Sequence, residues 1–408
     1  MSRRHFIKHG ITQAGLLAWL GSKDSFAASA GNDGATSVAP VDMKSPARDI
    51  FQTGDVSDEA SVFLASWRGP QAHSEHYAGL IRADWRRGVC SIEQEVLLPG
   101  RPHGLNVLRD GSLLAVGIRP GQWLLRWHES GQTRYEPDQD MTLNGHAASS
   151  EDQSLLYSTE SQREGQRGYV VVRDAKRFEV IHRWPTGGIE PHQLLIDHRQ
   201  RLWIAHGGIR RGAGDRKIAL DTMASKLSCL DARDGSILGH WTVPDRWLSM
   251  RHLAWANPQE RSGSGSSSVS ASGEDSDRLL GIAMQAEHPS TTTREQAPVL
   301  AVFSDDRIHI IGGASRARGY GGDISAAPGG GFCVSSNRGR SLLWWHPGLS
   351  GDMKAIASIE EPYALCHAKH DSTVYLACAW GLARWNTTQA QMLPWPKPMM
   401  LDNHWVLT

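Results

Sequence analysis

Apolar positions along this chain come in short paired runs rather than in helical stripes. "RPHGLNVLRDGSLLAVG" sets one run after His103, a polar Arg-Asp-Gly turn, and then a second run. The pattern returns in "NGHAASSEDQSLLYSTE" from His146, "EPHQLLIDHRQRLWIAHGG" from His192 and "SMRHLAWA" from His252. "YGGDISAAPGGGFCVSSNRG" carries Asp323 near the equivalent place, and "EPYALCHAKHDSTVYLACAWG" carries Tyr363 there. "DNHWVLT" begins again at His404 and runs off the chain. About five apolar residues, a polar or Gly turn and a second apolar run predict two paired strands.

The named positions are separated by 43, 46, 60, 71, 40 and 41 residues. A period of about 40 to 45 residues with paired strands predicts four-stranded β-propeller blades. One long interval has a visible cause: residues 261–277, "RSGSGSSSVSASGEDSD", form a Ser/Gly insertion that cannot build a core. It is expected as a disordered excursion from the fourth blade. "DNHWVLT" is an inner strand without its hairpin partner, whereas "SVFLASWRG" and "HYAGLIRADW" are strands without a histidine strand before them. Joined, they make a seventh blade with one strand from the C-terminus and three from the N-terminus, which leaves no open sheet edge at the seam. The predicted fold is all-β: a seven-bladed β-propeller, WD-like in its repeat, closed by the C-terminal strand joining the N-terminal blade. It occupies residues 59–408 as one domain.

Composition agrees with many short strands. The 408 residues include 42 Gly, 19 Pro and 16 Trp, more breakers than long helices tolerate. Lys+Arg and Asp+Glu balance at 43 each, so no global field favours nucleic acid or an anionic membrane. Five cysteines, Cys90, Cys229, Cys333, Cys366 and Cys378, show no C-x-x-C and no C-x-x-C-H. A disulfide framework, a thiolate zinc site and a c-type haem are therefore unsupported, and most of these thiols sit in apolar runs as core residues do. There is no G-x-S-x-G elbow and no phosphate loop on a strand–helix unit.

The first residues point outward. "SRRHFIK" sets Arg3 and Arg4 before the apolar "GITQAGLLAWLGS", and "AASA" ends at Ala30. A basic start, a short apolar stretch and a small-residue cleavage site describe an export signal, too short to span a membrane. The paired arginines resemble the twin-arginine (Tat) type. Residues 1–30 are thus expected to be removed, and the protein to work in a bacterial periplasm, exported folded and with no integral membrane segment left. Residues 31–58 are polar and aperiodic and are expected to act as a flexible linker.

In a propeller the first strand of each blade lines the central channel, and the connections into it share one face with the second-to-third-strand loops. His103, His146, His192, His252 and His404 should therefore ring one channel mouth, with Glu160, Arg251 and Arg338 on the same rim. Neutral imidazoles ligate borderline metals, so several converging suit iron, copper or zinc, with Glu160 as a further ligand. Free imidazole chemistry predicts that such binding fails below about pH 6. "GGIRRGAGDRK", which contains Arg210, puts four cations among glycines. It reads as an anion clamp or lid, with Arg210, Arg251 and Arg338 as candidates for holding a ligand. The plainer alternatives stay open: histidines that tie blade to blade, a solvated loop, and Glu160 in a salt bridge.

"SWRGP", "NGH", "GIEPHQLL", "HGGIRR", "RKIALDTM", "LSMRHLAW" and "DNHWV" resemble an uncharacterised family of Tat-exported bacterial propeller proteins, a domain of unknown function. The resemblance covers roughly residues 60 to 408. Members are often encoded beside imelysin-type iron-uptake lipoproteins and di-haem peroxidase-like proteins, which implies a role accessory to iron uptake and partners of those kinds. It implies no activity. His206 stands where the family more often shows Asn, a departure that bears on any shared ligand set. Three functions fit: a propeller that binds a transition metal or metal complex, an interaction platform with structural histidines, and an oxidoreductase or lyase using the same site.

Overall fold

Each two-strand unit is completed by two outer strands into a four-stranded antiparallel sheet, and seven such sheets stand around one axis. The computed structural model describes residues 41–42, 60–71, 73–164, 166–256, 278–349, 351–368 and 373–408. The expected export signal (1–30), most of the expected linker (31–58) and the Ser/Gly insertion (261–277) lie outside the described residues. Of the linker, Val41–Asp42 pairs in parallel with Lys354–Ser358.

Blades are numbered here from the first histidine unit. The inner strands are Pro102–Val107 in blade 1, Met141–Ser149 in blade 2, Pro191–Ile196 in blade 3, and Leu248–Trp255 in blade 4. Asp323–Ala327 and Ala364–His367 serve blades 5 and 6, and Met400–Leu407 serves blade 7. Each inner strand touches the next around the ring, and Met400–Leu407 touches both Ala364–His367 and Pro102–Val107. The seam is as expected: Met400–Leu407 pairs antiparallel with Ser61–Arg68, with Phe63 opposite Leu407 and Ala65 opposite Trp405. The Phe63 and Trp405 rings stack at 4.4 Å across it, a contact worth about 0.5–1.5 kcal/mol beyond the area it buries.

Burial follows the layers. Second strands such as Leu113–Gly117 and Gly331–Ser336 are buried on both faces, which is why they read as unbroken apolar runs rather than alternating ones. Outermost strands such as Val89–Leu97 have one wet face, and their burial alternates residue by residue. The core is accordingly divided into clusters between adjacent blades; one joins Trp203 and Leu227 of blade 3 to Leu253 and Ile282 of blade 4. All five cysteines are free, three of them buried. Among the described residues no helix is long and apolar enough to cross a membrane.

Candidate metal centre

Five of the seven inner strands carry a histidine of the cluster, and all five break register where it stands; the sixth histidine, His367, ends the blade 6 strand. The ladder slips between Pro102 and Leu105 around His103, between Pro191 and Leu194 around His192, and between Met250 and His252. In blade 2 the slip lies opposite Asn144–His146, and in blade 7 opposite Asp402–His404. Blades 5 and 6 have no such histidine, and their inner pairs run without a slip. A β-bulge spends one extra residue to re-aim a side chain. Here it turns each imidazole off the sheet and into the channel. Glycine makes the close approach feasible: Gly145 has φ +101°, and a Cβ there would lie 2.7 Å from the His103 ring.

The rings meet. Nε2 of His192 lies 3.3 Å from Nε2 of His103 and 3.1 Å from Nε2 of His252, and Nε2 of His404 lies 3.1 Å from that of His252. The His146 ring centroid is 4.6 Å from that of His103 and 4.9 Å from those of His192 and His404. One potential ligand atom from each of His103, His146, His192 and His252 falls within 4.8 Å of the others, and the same holds for His252, Asp323 and His404. Four nitrogens at 2.0–2.1 Å from a tetrahedral ion stand about 3.3–3.4 Å apart. The three Nε2–Nε2 contacts of 3.1–3.3 Å are close to that spacing.

Without an ion the arrangement is hard to satisfy. Two imidazoles share a hydrogen bond only if one donates and one accepts, and each accepting Nε2 moves its proton to Nδ1. The Nδ1 atoms of His103 and His192 are buried without a partner, as is Nε2 of His146. Buried polar atoms left unpaired ask for an explanation. All five residues are at most 8% exposed. Burial, reinforced by neighbouring imidazoles and by Arg101, Arg119 or Arg251, holds His103, His146, His192 and His252 well below the ordinary histidine range. They are neutral, the form that ligates.

His404 is held from behind. Its Nδ1 lies 3.4 Å from Oδ1 of Asp323, whose oxygens also accept the backbone N–H groups of Ile324 at 2.9 Å and Leu365 at 2.8 Å. A carboxylate on the far nitrogen fixes the ring and leaves Nε2 facing the cluster, the arrangement usual behind metal-bound histidine. The blade that lacks a histidine therefore supplies its orienting carboxylate.

Of the other predicted site residues, one reaches the histidine cluster and three do not. Arg251 is buried beside the cluster, with Nη1 3.0 Å from Oε1 of Glu190. Arg210 is exposed, on a two-residue strand opposite Ile218. Arg338 is exposed over the Tyr320 ring. Glu160 is not brought to the histidines: its carboxylate is taken by Arg173 in a fully buried ion pair and by the Ser158 hydroxyl. The salt-bridge alternative describes it, because a guanidinium buried without that carboxylate would be far costlier.

Sequence reasoning missed Glu190, two residues before His192. It receives Arg119, Arg211 and Arg251 and the Ile209 N–H at 3.0 Å. Burial opposes its charge, but the three guanidiniums outweigh that and hold its carboxyl down to about 2. His206 stays outside the cluster, 3.3 Å from the Ile189 carbonyl oxygen, and burial holds it down to about 3.

The segment after His206, residues 207–225, lies across the mouth. Asp215 pairs with Arg119 of the blade 1 loop at 3.3 Å. The Arg211 N–H donates to Gln166 of the blade 2 loop at 2.7 Å, and Lys217 pairs with Glu287 after the second strand of blade 4. The stretch "GGIRRGAGDRK" lies in this strap.

Solved structures with this architecture are distant in sequence. Kuenenia stuttgartiensis hydrazine synthase is 11% identical, with a TM-score of 0.54 over 77% of this chain and 92% of that one. A virginiamycin B lyase of Staphylococcus aureus with quinupristin is 13% identical, with a TM-score of 0.50 over 74% and 87%. At such identities the likeness shows the fold alone. No curated protein sequence matches the chain. A family profile does, from residue 96 to residue 408, and by it the chain belongs to the family described as "Protein of unknown function (DUF1513)".

Proposed function

We propose that this protein binds a transition metal, as an ion or a small complex, in the imidazole cluster on the propeller axis. The observation that carries the reading is the meeting of four Nε2 atoms at 3.1–3.3 Å contacts, with His146 beside them and its own Nε2 unpaired. Structural ties would be expected to end on backbone or carboxylate partners. These rings end on one another. Neutral imidazole donors favour copper, zinc or iron over magnesium or calcium, which take oxygen ligands.

Transport to the periplasm by the Tat route rests on Arg3 and Arg4 before the apolar stretch. It fits a site that must be folded, and could be loaded, before export. Service to imelysin-type or di-haem peroxidase-like iron-uptake partners is the setting that the sequence resemblance implies. Elemental analysis of the full chain purified without added chelator tests the reading. About one equivalent of copper, zinc or iron per chain is expected, and almost none after His146→Ala with His192→Ala. A metal-free protein that takes up none of the three on incubation would leave the interaction-platform reading in front.

A further inference from the structure

Charge at the channel mouth does not balance for a dication. Three guanidiniums, Arg119, Arg211 and Arg251, share two carboxylates, Glu190 and Asp215. The five imidazoles contribute no negative charge, and Asp323 contributes one. A divalent metal placed among them would leave this buried region two charges positive. Buried charge of that size has to be paired.

The geometry also shows where a partner anion would be held. Arg251 is 3% exposed, and only its Nη1 reaches Glu190, at 3.0 Å. Its Nε is buried without a partner. The Nε edge of a guanidinium is half of a fork that fits the two oxygens of a planar carboxylate. Arg119 has a side chain 17% exposed and reaches Glu190 and Asp215. Both arginines lie close enough to the cluster to act on its rings, Arg119 on His146 and Arg251 on His192 and His252. Glu190 demonstrates that a carboxylate is stable among these guanidiniums. It cannot neutralise all three.

We propose that the cluster takes its metal together with a small planar anion of the bicarbonate or carboxylate class, held by Arg251 and Arg119 at the edge of the imidazole ring. This rests on the metal reading and adds the second component of the ligand. Metal and anion then bind synergistically, each supplying the charge that makes the other's burial tolerable.

The test is calorimetric titration of the metal-stripped full chain with zinc perchlorate, in a non-coordinating buffer purged of carbon dioxide, then with bicarbonate, and then with acetate. Bicarbonate or acetate is expected to tighten zinc binding at least tenfold, with one labelled anion retained per zinc. The anion that tightens more identifies the source. Arg251→Gln is expected to abolish the anion effect. Arg119→Gln, which leaves two guanidiniums on Glu190, should weaken the effect and serves alone if the first variant does not fold. Zinc binding that is equally tight with and without anion, and tighter in Arg251→Gln because a repelling cation is gone, overturns the proposal and leaves the metal reading standing. No binding of zinc, copper(II) or iron(II) in any buffer overturns both.

Discussion

The Nε2 atoms of His252 and His404 lie 3.1 Å apart although 152 residues separate them in the chain. One comes from blade 4 and the other from the strand that closes the ring. Assembly of the site and closure of the fold are therefore one event, and neither ring nor cluster can be complete without the last eight residues.

Deleting residues 402–408 should remove both at once. It strips Ser61–Arg68 of most of its partner strand, takes Trp405 off Phe63 and removes His404. The expected outcome is loss of cooperative unfolding, with aggregation through the exposed edge. Deleting residues 261–277 is the control. Trp255 already pairs with Leu280, and the Ala256 N–H reaches the Leu279 carbonyl at 3.0 Å, so a short turn can join them. A change within about 1–2 kcal/mol is expected, since loop length enters only logarithmically. Denaturant melts of both variants check this; the reverse ranking would refute the closure described here.

The metal-free protein should be acid-sensitive. Burial holds the pKa of His103, His146, His192 and His252 well below normal, so the unfolded chain binds protons that the folded one refuses. This costs the fold nothing above about pH 6.5, and stability drains as pH falls below that toward the folded values. The loss is about 1.4 kcal/mol per pH unit for each imidazole within that window. Urea midpoints at pH 7.5 and 5.5 should differ strongly, and by less in His103→Gln. Equal midpoints would mean that the rings are not held neutral. The same burial revises the expectation from free imidazole: metal should be retained well below pH 6.

Asp323 should matter through His404. Asp323→Asn keeps an oxygen for the Leu365 N–H but no longer offers a charge to Nδ1 of His404. Metal affinity is expected to fall about 10–100-fold with little loss of stability. Asp323→Ala also strips the backbone bonds and should cost about 1–3 kcal/mol of stability in addition. Copper(II) spectra separate the two effects, because a changed ligand field in Asp323→Asn reports reorientation of the ring. An unaltered spectrum and affinity would leave Asp323 as a blade tie only.

The histidine positions were legible because the blade repeat is also a repeat in sequence: equal spacing, equal strand context, hence one ring. Closure was legible for the same reason, from a lone strand at one end and an incomplete blade at the other. The bulges were not, since a slip of one or two residues leaves no compositional mark when the neighbours are as varied as Gly104, Gln193 and Arg251. The sequence leaves Glu160 open between metal ligand and salt bridge because Arg173 sits across a hairpin, opposite a face that alternation alone does not resolve. Glu190 stood in the motif "GIEPHQLL" but read as a turn residue. Its three arginines come from separate blades and loops, and only folding brings them to it. Asp323 was placed at the right position, but its role depends on His404 from the far end of the chain.

Competitive titration of the metal-stripped full chain with copper(II), zinc(II) and iron(II), against a chromogenic chelator, tests the central claim most directly. It is run beside His146→Ala with His192→Ala, with the fold of each protein monitored by circular dichroism. One tight site per chain for at least one of the three metals is expected in the parent, and none in the double variant at unchanged fold. Failure of all three metals to bind, or equal binding by the double variant, would contradict the metal centre.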